Sequence, residues 1–349
     1  MTITHLLGID LPIIQAPMAG IQGSAMTVAV SSAGGLGSLP CAMLGLEALQ
    51  SELVAINAQT RKPYNLNFFC HSTPTPDAAR EAHWRAALAP YYAEFGIDPD
   101  KVPAGGGRMP FSSEVADLVE PFKPPVVSFH FGLPSASLLA RVKSWGSKIL
   151  SSATTVDEAV WLEANGVDAV IAQGLEAGGH RGMFLTDDLT TQIGTMALVP
   201  QLVRALRIPV IAAGGIADAQ GVAAAMALGA SGVQVGTAYL LCPEASTSPL
   251  HRSALKSRRA LHTVLTNLIT GRPARGIANR LMTELGSLSK APPSFPLATA
   301  ALAPLRAAAE LLGRDDFSTL WSGQNASGCR EITAAELTRL LAVPQTLPS

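Results

Sequence analysis

The 349-residue chain predicts an α/β fold, a TIM (β/α)8 barrel carrying a smaller, mostly helical second domain. Three observations predict it. Eight short apolar segments recur through the first 240 residues, helical patterns separate them, and after Tyr239 the alternation gives way to sequence that reads as helix. Near-continuous apolar strands belong in a parallel sheet covered on both faces, and eight such units suffice to close it. A doubly wound open sheet is the alternative arrangement.

The expected strands are 11–17, 35–40, 64–69, 125–131, 147–153, 168–174, 209–215 and 231–237. Between them, helices are expected over 24–34, 155–166, 196–206 and 218–229, several starting after Thr or Asp and stopping at Gly as capping requires. Two stretches break the alternation. Residues 72–120 are too long for one connection and read as a helical excursion ending in a glycine-rich loop. Residues 247–286 look wholly helical, as does the Ala/Leu-rich tail. The organisation expected is therefore a barrel over 1–240 with an excursion at about 72–120, and a mostly helical subdomain over 241–349 that covers the active site.

Composition narrows the function. A hydrophobic content of 48%, a charged fraction of 15% and a net charge of −1 provide a large core but no basic footprint for nucleic acid or an anionic membrane. A small, largely uncharged substrate is the easier partner. The four cysteines, Cys41, Cys70, Cys242 and Cys329, are widely spaced without a CxxC pair, so neither zinc nor a disulfide framework is indicated. The N-terminus lacks a basic segment followed by a sustained apolar run, and later apolar runs fall short of the roughly 18 to 20 residues that span a bilayer. A cytoplasmic protein is expected.

In such barrels the chemistry lies at the C-terminal ends of the strands. Here "AAGGIAD" (212–218) and "QVGTAYL" (234–240) follow the last two strands, where glycines let backbone N–H groups approach a phosphate. Gln15, Asn67, His130, Gln173 and Gln234 place polar groups inside apolar strands. Converging on one mouth, they would suit a flat heteroaromatic cofactor. His130 and His180 end the fourth and sixth strands. His180, in "EAGGHRG", suits a general base near neutral pH, while His130 fits a structural role equally well. His5, His71, His83, His251 and His262 read as surface or packing residues. "TGRPARGIANR" (270–280) gathers Arg272, Arg275 and Arg280, either as a solvated helix terminus or as a lid meeting an anionic ligand. No dinucleotide fingerprint, P-loop or nucleophile elbow occurs.

Four ordered blocks, "QAPMAG" (15–20), "AQGLEAGGHRG" (172–182), residues 212–240 and "GRPARGIANR" (271–280), resemble the nitronate monooxygenase family, formerly called 2-nitropropane dioxygenases, and its class I members in particular. The resemblance implies an FMN-dependent oxidoreductase without a metal. It would oxidise alkyl nitronates such as propionate 3-nitronate with O2 to a carbonyl compound plus nitrite or nitrate, through a flavin semiquinone. It also implies that FMN is held by Pro17, Met18, Asn67, Gln173, Gly178, Gly179, Gly214, Gly215, Gln234, Val235, Gly236 and Thr237. His180 matches the family's catalytic histidine, a base toward neutral nitroalkanes, and His130 a second active-site histidine. Arg272, Arg275 or Lys290 would offset the anionic nitro group. An FMN-dependent NADH:quinone reductase is the alternative activity, a silent flavin-binding scaffold a third, and a monomer or homodimer the expected assembly.

Overall fold

The computed structural model describes residues 2–102 and 108–344; most of the glycine-rich loop expected at the end of the excursion, at 103–107, lies outside the described residues. Among the described residues eleven strands follow in order: β1 (Ile13–Gln15), β2 (Gly37–Pro40), β3 (Tyr64–Phe69), β4 (Val126–His130), β5 (Lys148–Ala153), β6 (Ala169–Gln173), β7 (Gly179–His180), β8 (Val210–Ala213), β9 (Gly232–Val235), β10 (Thr263–Thr266) and β11 (Ala274–Ile277). Eight of them form one parallel sheet in the order β1-β9-β8-β6-β5-β4-β3-β2. A parallel bridge between Ile14 and Leu36 brings its two edges together, so the sheet is a (β/α)8 barrel and not an open one. Each of the eight expected apolar segments contributes one strand.

The side-chain period of two divides each strand between two environments. On β3, Tyr64, Leu66 and Phe68 pack into the large core under the surrounding helices. Asn65 and Asn67 alternate with them, and their amides donate to Ser128 Oγ on β4 at 2.9 Å each. A second apolar cluster, including Ile14, Leu36, Leu150, Ile171 and Ile211, packs with Ile3 and Leu7 of the short helix Ile3–Leu7. That helix reaches Gly232 at the start of β9, which leaves the opposite, C-terminal mouth for a site.

The four helices expected from capping signals are Ser24–Ser32, Val156–Ala164, Thr195–Ala205 and Ala219–Ala227. Thr155 and Asp218 cap two of them by accepting from the N–H groups of Glu158 and Gly221.

The excursion holds the helix Ala78–Glu94. Its Trp84, Leu88, Tyr91 and Tyr92 join Leu268, Leu281, Leu302, Leu305 and Phe317 in a second core distinct from the barrel's. Trp84 Nε1 donates to the Ala298 carbonyl at 3.2 Å and Tyr92 OH to that of Ala301 at 2.7 Å.

Two features differ from expectation. The stretch 247–286 is not wholly helical, because β10 and β11 lie in it and form an antiparallel sheet, β10-β11-β7, with the histidine loop. Gly271, with φ of 86°, and Pro273 stop a helix there. Four-residue strands are too short to impose a period of two on the sequence. The boundary at 240 is also crossed: the helix Ala334–Leu341 packs Leu337 and Leu341 into the barrel core, and Thr338 Oγ1 lies 2.8 Å from Tyr239 OH. Among the described residues no helix is long and apolar enough to cross a membrane.

Candidate active site

Where β4, β6, β8 and β9 end, the chain opens a cleft. Its walls include Pro17, Met18, Asn67, His130, Gln173, Gly178, Gly179, His180, Gly214, Gly215, Gln234, Gly236 and Thr237. Residues read from six separate segments of the sequence thus meet at one mouth. Val235 does not reach it with its side chain, which is buried in the barrel's outer core while its carbonyl accepts from Ala16 N at 2.8 Å. Gln15 is also elsewhere, its amide closed against Gln22 and the Ser38 N–H.

Glycine is required at this mouth for steric reasons. A Cβ at Gly178 would stand 2.5 Å from Gly323 N and 2.6 Å from the Ser322 carbonyl carbon, so only a bare backbone lets these segments touch. Gly214 and Gly215 adopt φ of 115° and 73°, values that L side chains disfavour. Gly179, at φ 72°, has no atom within 4 Å of where its Cβ would be, so it faces open space in the cleft wall.

The histidine loop is clamped from beneath. Gln173, on the last residue of β6, donates from Nε2 to the His180 carbonyl at 2.9 Å and accepts from Gly182 N at 2.7 Å. Arg181, fully buried, donates to the carbonyls of Gly174 and Gln173, both at 2.7 Å, and to Gln192 at 3.0 Å. β7 pairs with β11, aligning His180 with Ala274.

His130 has both ring nitrogens engaged. Nε2 lies 3.3 Å from the His180 carbonyl, which can only accept, so Nε2 carries the proton and Nδ1 accepts from Ser152 Oγ at 3.1 Å. Burial, with Arg272 nearby, pushes its pKa down to about 3. His180 holds Nε2 2.9 Å from Thr270 Oγ1, and its ring meets those of Phe295 and Trp321 at centroid distances of 5.3 and 5.6 Å. Burial first, then the positive charge of Arg108, hold its pKa well below the ordinary histidine value. Both imidazoles are neutral near pH 7.

The three cations expected at the substrate are not in the cleft wall. Arg275 is buried and donates to the carbonyls of Leu175 at 2.9 Å and Thr263 at 3.3 Å. Arg272 lies over the Phe131 ring, 4.2 Å from its centroid, and donates to the Met183 carbonyl. Lys290 is exposed. Arg280, named with them, pairs with Glu94 at 2.8 Å and Glu284 at 2.7 Å, tying the excursion to the C-terminal part.

The cation that does line the cleft is Arg108. Among the described residues its Nε is buried without a hydrogen-bond partner, and its guanidinium meets the Met43 sulfur at 3.7 Å and the Phe295 ring at 5.7 Å. His71 stands behind it, Nε2 2.9 Å from the Arg108 carbonyl and ring centroid 4.8 Å from that of Phe295. Arg108, Trp321 and Asn325 were not marked by any local pattern in the sequence, and Thr270 was marked only as the first residue of the segment 270–280, without a role.

A cleft of mixed apolar and polar lining with a glycine-lined end, a neutral histidine and, among the described residues, a cation without a carboxylate suits a cofactor with an anionic tail beside an anionic substrate. The family model described as nitronate monooxygenase matches residues 1–343. The chain belongs to that family. It is 45% identical over 339 residues to the nitronate monooxygenase of Paraburkholderia phytofirmans, covering 95% of this chain and 91% of that protein. With the Pseudomonas aeruginosa nitronate monooxygenase the identity is 43% over 341 residues, 97% of each chain. Among solved structures, nitroalkane oxidase from Streptomyces ansochromogenes superposes with a TM-score of 0.88 at 36% identity, covering 97% of this chain and 96% of that one. FabK from Thermotoga maritima gives 0.70 at 26%, over 98% and 94%. As a member of the nitronate monooxygenase family the protein is an enzyme, an oxidoreductase.

Proposed function

We propose that this nitronate monooxygenase family member uses FMN to oxidise alkyl nitronates, of the propionate 3-nitronate type, with O2. The observation that carries the reading is one cleft joining the glycine turns after β8 and β9 to neutral His180 beneath Arg108. The residues present fit a flavin: Gln234 Oε1 is buried in the cleft wall without a hydrogen-bond partner, and the space beside Gly179 is one a side chain would fill. Pro17, Met18, Asn67, Gln234 and the backbones of Gly178 and Gly179 would hold the ring system and ribityl chain. Gly214, Gly215, Gly236 and Thr237 would hold the phosphate. When bound, the flavin supplies electron transfer from the nitronate and onward reaction with O2.

The chain's own residues bind and orient. Arg108 opposes the nitronate's charge, the role offered for Arg272, Arg275 and Lys290. Phe69, Phe295 and Trp321 exclude water around His180. His180 takes a proton only from a neutral nitroalkane, since a nitronate arrives without it. Gln173, His130 and Arg181 fix the loop that carries His180.

The purified protein should be yellow and release FMN on denaturation. Anaerobic propionate 3-nitronate should reduce the bound flavin, and NADH should not. Bleaching by NADH with turnover of benzoquinone, and none by the nitronate, would replace this reading with the quinone reductase.

A further inference from the structure

We propose that Thr270 is a positioning residue that holds His180 in one neutral tautomer, with Nε2–H donated to Thr270 Oγ1 and Nδ1 bare toward the cleft. A threonine hydroxyl has one proton to give. At Thr270, which is buried, that proton is donated to the Arg272 carbonyl, a group that can only accept, 3.3 Å away. The hydroxyl then meets His180 Nε2, 2.9 Å away, as an acceptor, and a neutral imidazole that donates from Nε2 has its lone pair on Nδ1. Nδ1 makes no hydrogen bond among the described residues, while the ring lines the cleft. Thr270 precedes β11, whose Ala274 pairs with His180 itself, so hydroxyl and imidazole are carried by the same small sheet. Phe295 and Trp321 restrain the ring between them.

The consequence is a base aimed at carbon-bound protons. With a neutral nitroalkane, the proton on the carbon bearing the nitro group passes to Nδ1, the C–H electron pair moves into the nitro group, and nitronate and imidazolium form. The imidazolium keeps its Nε2–H bond to Thr270. This consequence rests on the proposed oxidation, whereas the tautomer does not.

Histidine labelled with 15N in the flavin-loaded full-length enzyme tests the tautomer directly at pH 7, with His180→Asn identifying the signal. The expected spectrum has a protonated, pyrrole-type Nε2 and an unprotonated, pyridine-type Nδ1. Thr270→Ser should keep it and Thr270→Val should give a mixture. A protonated Nδ1 in the wild type, or an unchanged signal in Thr270→Val, overturns the proposal. In turnover, the loss in kcat/KM caused by Thr270→Val should be at least about tenfold larger on nitroethane than on ethyl nitronate, in kcat more than KM, and Thr270→Ser should recover it. Equal losses on both substrates would leave Thr270 a purely structural residue. If no nitro compound is oxidised but the expected spectrum is found, the functional reading fails and the tautomer assignment stands.

Discussion

At the scale of single residues, four of the five polar groups expected within apolar strands, Asn67, His130, Gln173 and Gln234, line one cleft while Gln15 does not, and their partners decide what each one does. Gln173, expected to meet a cofactor, lines the cleft, and its amide bonds the His180 carbonyl and the Gly182 N–H. His130 was expected beside His180 as an active-site histidine, and it lines the cleft while both its nitrogens serve Ser152 and the His180 carbonyl. Its depressed pKa has a consequence for stability. A histidine whose folded value lies at about 3, below that of the unfolded chain, binds protons more readily when unfolded. Its stabilisation is complete above about pH 6.5 and is lost as the pH falls toward 3. Between pH 7 and pH 5 the wild type should therefore lose about 2 kcal/mol more stability in denaturant titrations than His130→Gln. His71 and His251, also depressed and without His130 among their causes, are common to both proteins and cancel.

At the scale of elements, the small sheet β10-β11-β7 carries the loop that bears His180, and neighbouring backbones seal it. Gly178 and Gly179 separate two reasons for glycine. In Gly178→Ala the methyl meets the backbone of Ser322 and Gly323, so thermal or chemical unfolding should show a loss of about 1–3 kcal/mol. Gly179→Ala has free space but a positive φ. It should cost about 1–2 kcal/mol and lower the flavin bound per chain, measured from the visible spectrum, because its methyl projects into the cleft wall. Equal flavin content in wild type and Gly179→Ala would remove that wall from the cofactor site. The sheet was missed because its strands are two to four residues long, too short to show a period, and because the pairing of β11 with β7 joins positions such as Ala274 and His180 that are far apart in the chain.

At the scale of the whole molecule, two cores meet. The barrel core is continuous with the last helix, through Leu337 and Leu341, whereas the second core unites the excursion with the C-terminal part around Trp84. The cleft takes its floor from the barrel. Its roof residues, Arg108 and Trp321, come from the segments that the second core and Arg280 hold together. Trp84→Ala should destabilise the protein by about 3–5 kcal/mol in denaturant titrations and weaken flavin retention although Trp84 is not in the cleft wall. Undiminished flavin retention in a folded Trp84→Ala protein would show that the barrel alone holds the cofactor.

The sequence by itself determined the barrel, because β-branched and apolar runs, capping residues and helix-ending glycines act within ten residues of where they stand. It also marked the glycine turns and His180, since those residue types are conspicuous in apolar surroundings. The tertiary structure alone decided which cation faces the cleft and which hydroxyl holds the imidazole. Arg108 and Arg272 look alike in sequence, and each buries an unpartnered Nε and lies over a phenylalanine ring; what separates them is that Arg108 lines the cleft, whereas Arg272 donates to the Met183 carbonyl outside its wall. Thr270 lies 90 residues from His180, and their bond exists only because β11 pairs with β7. Local composition carries the energy of forming an element. The identity of a partner across the fold is set by packing between elements that no local pattern encodes.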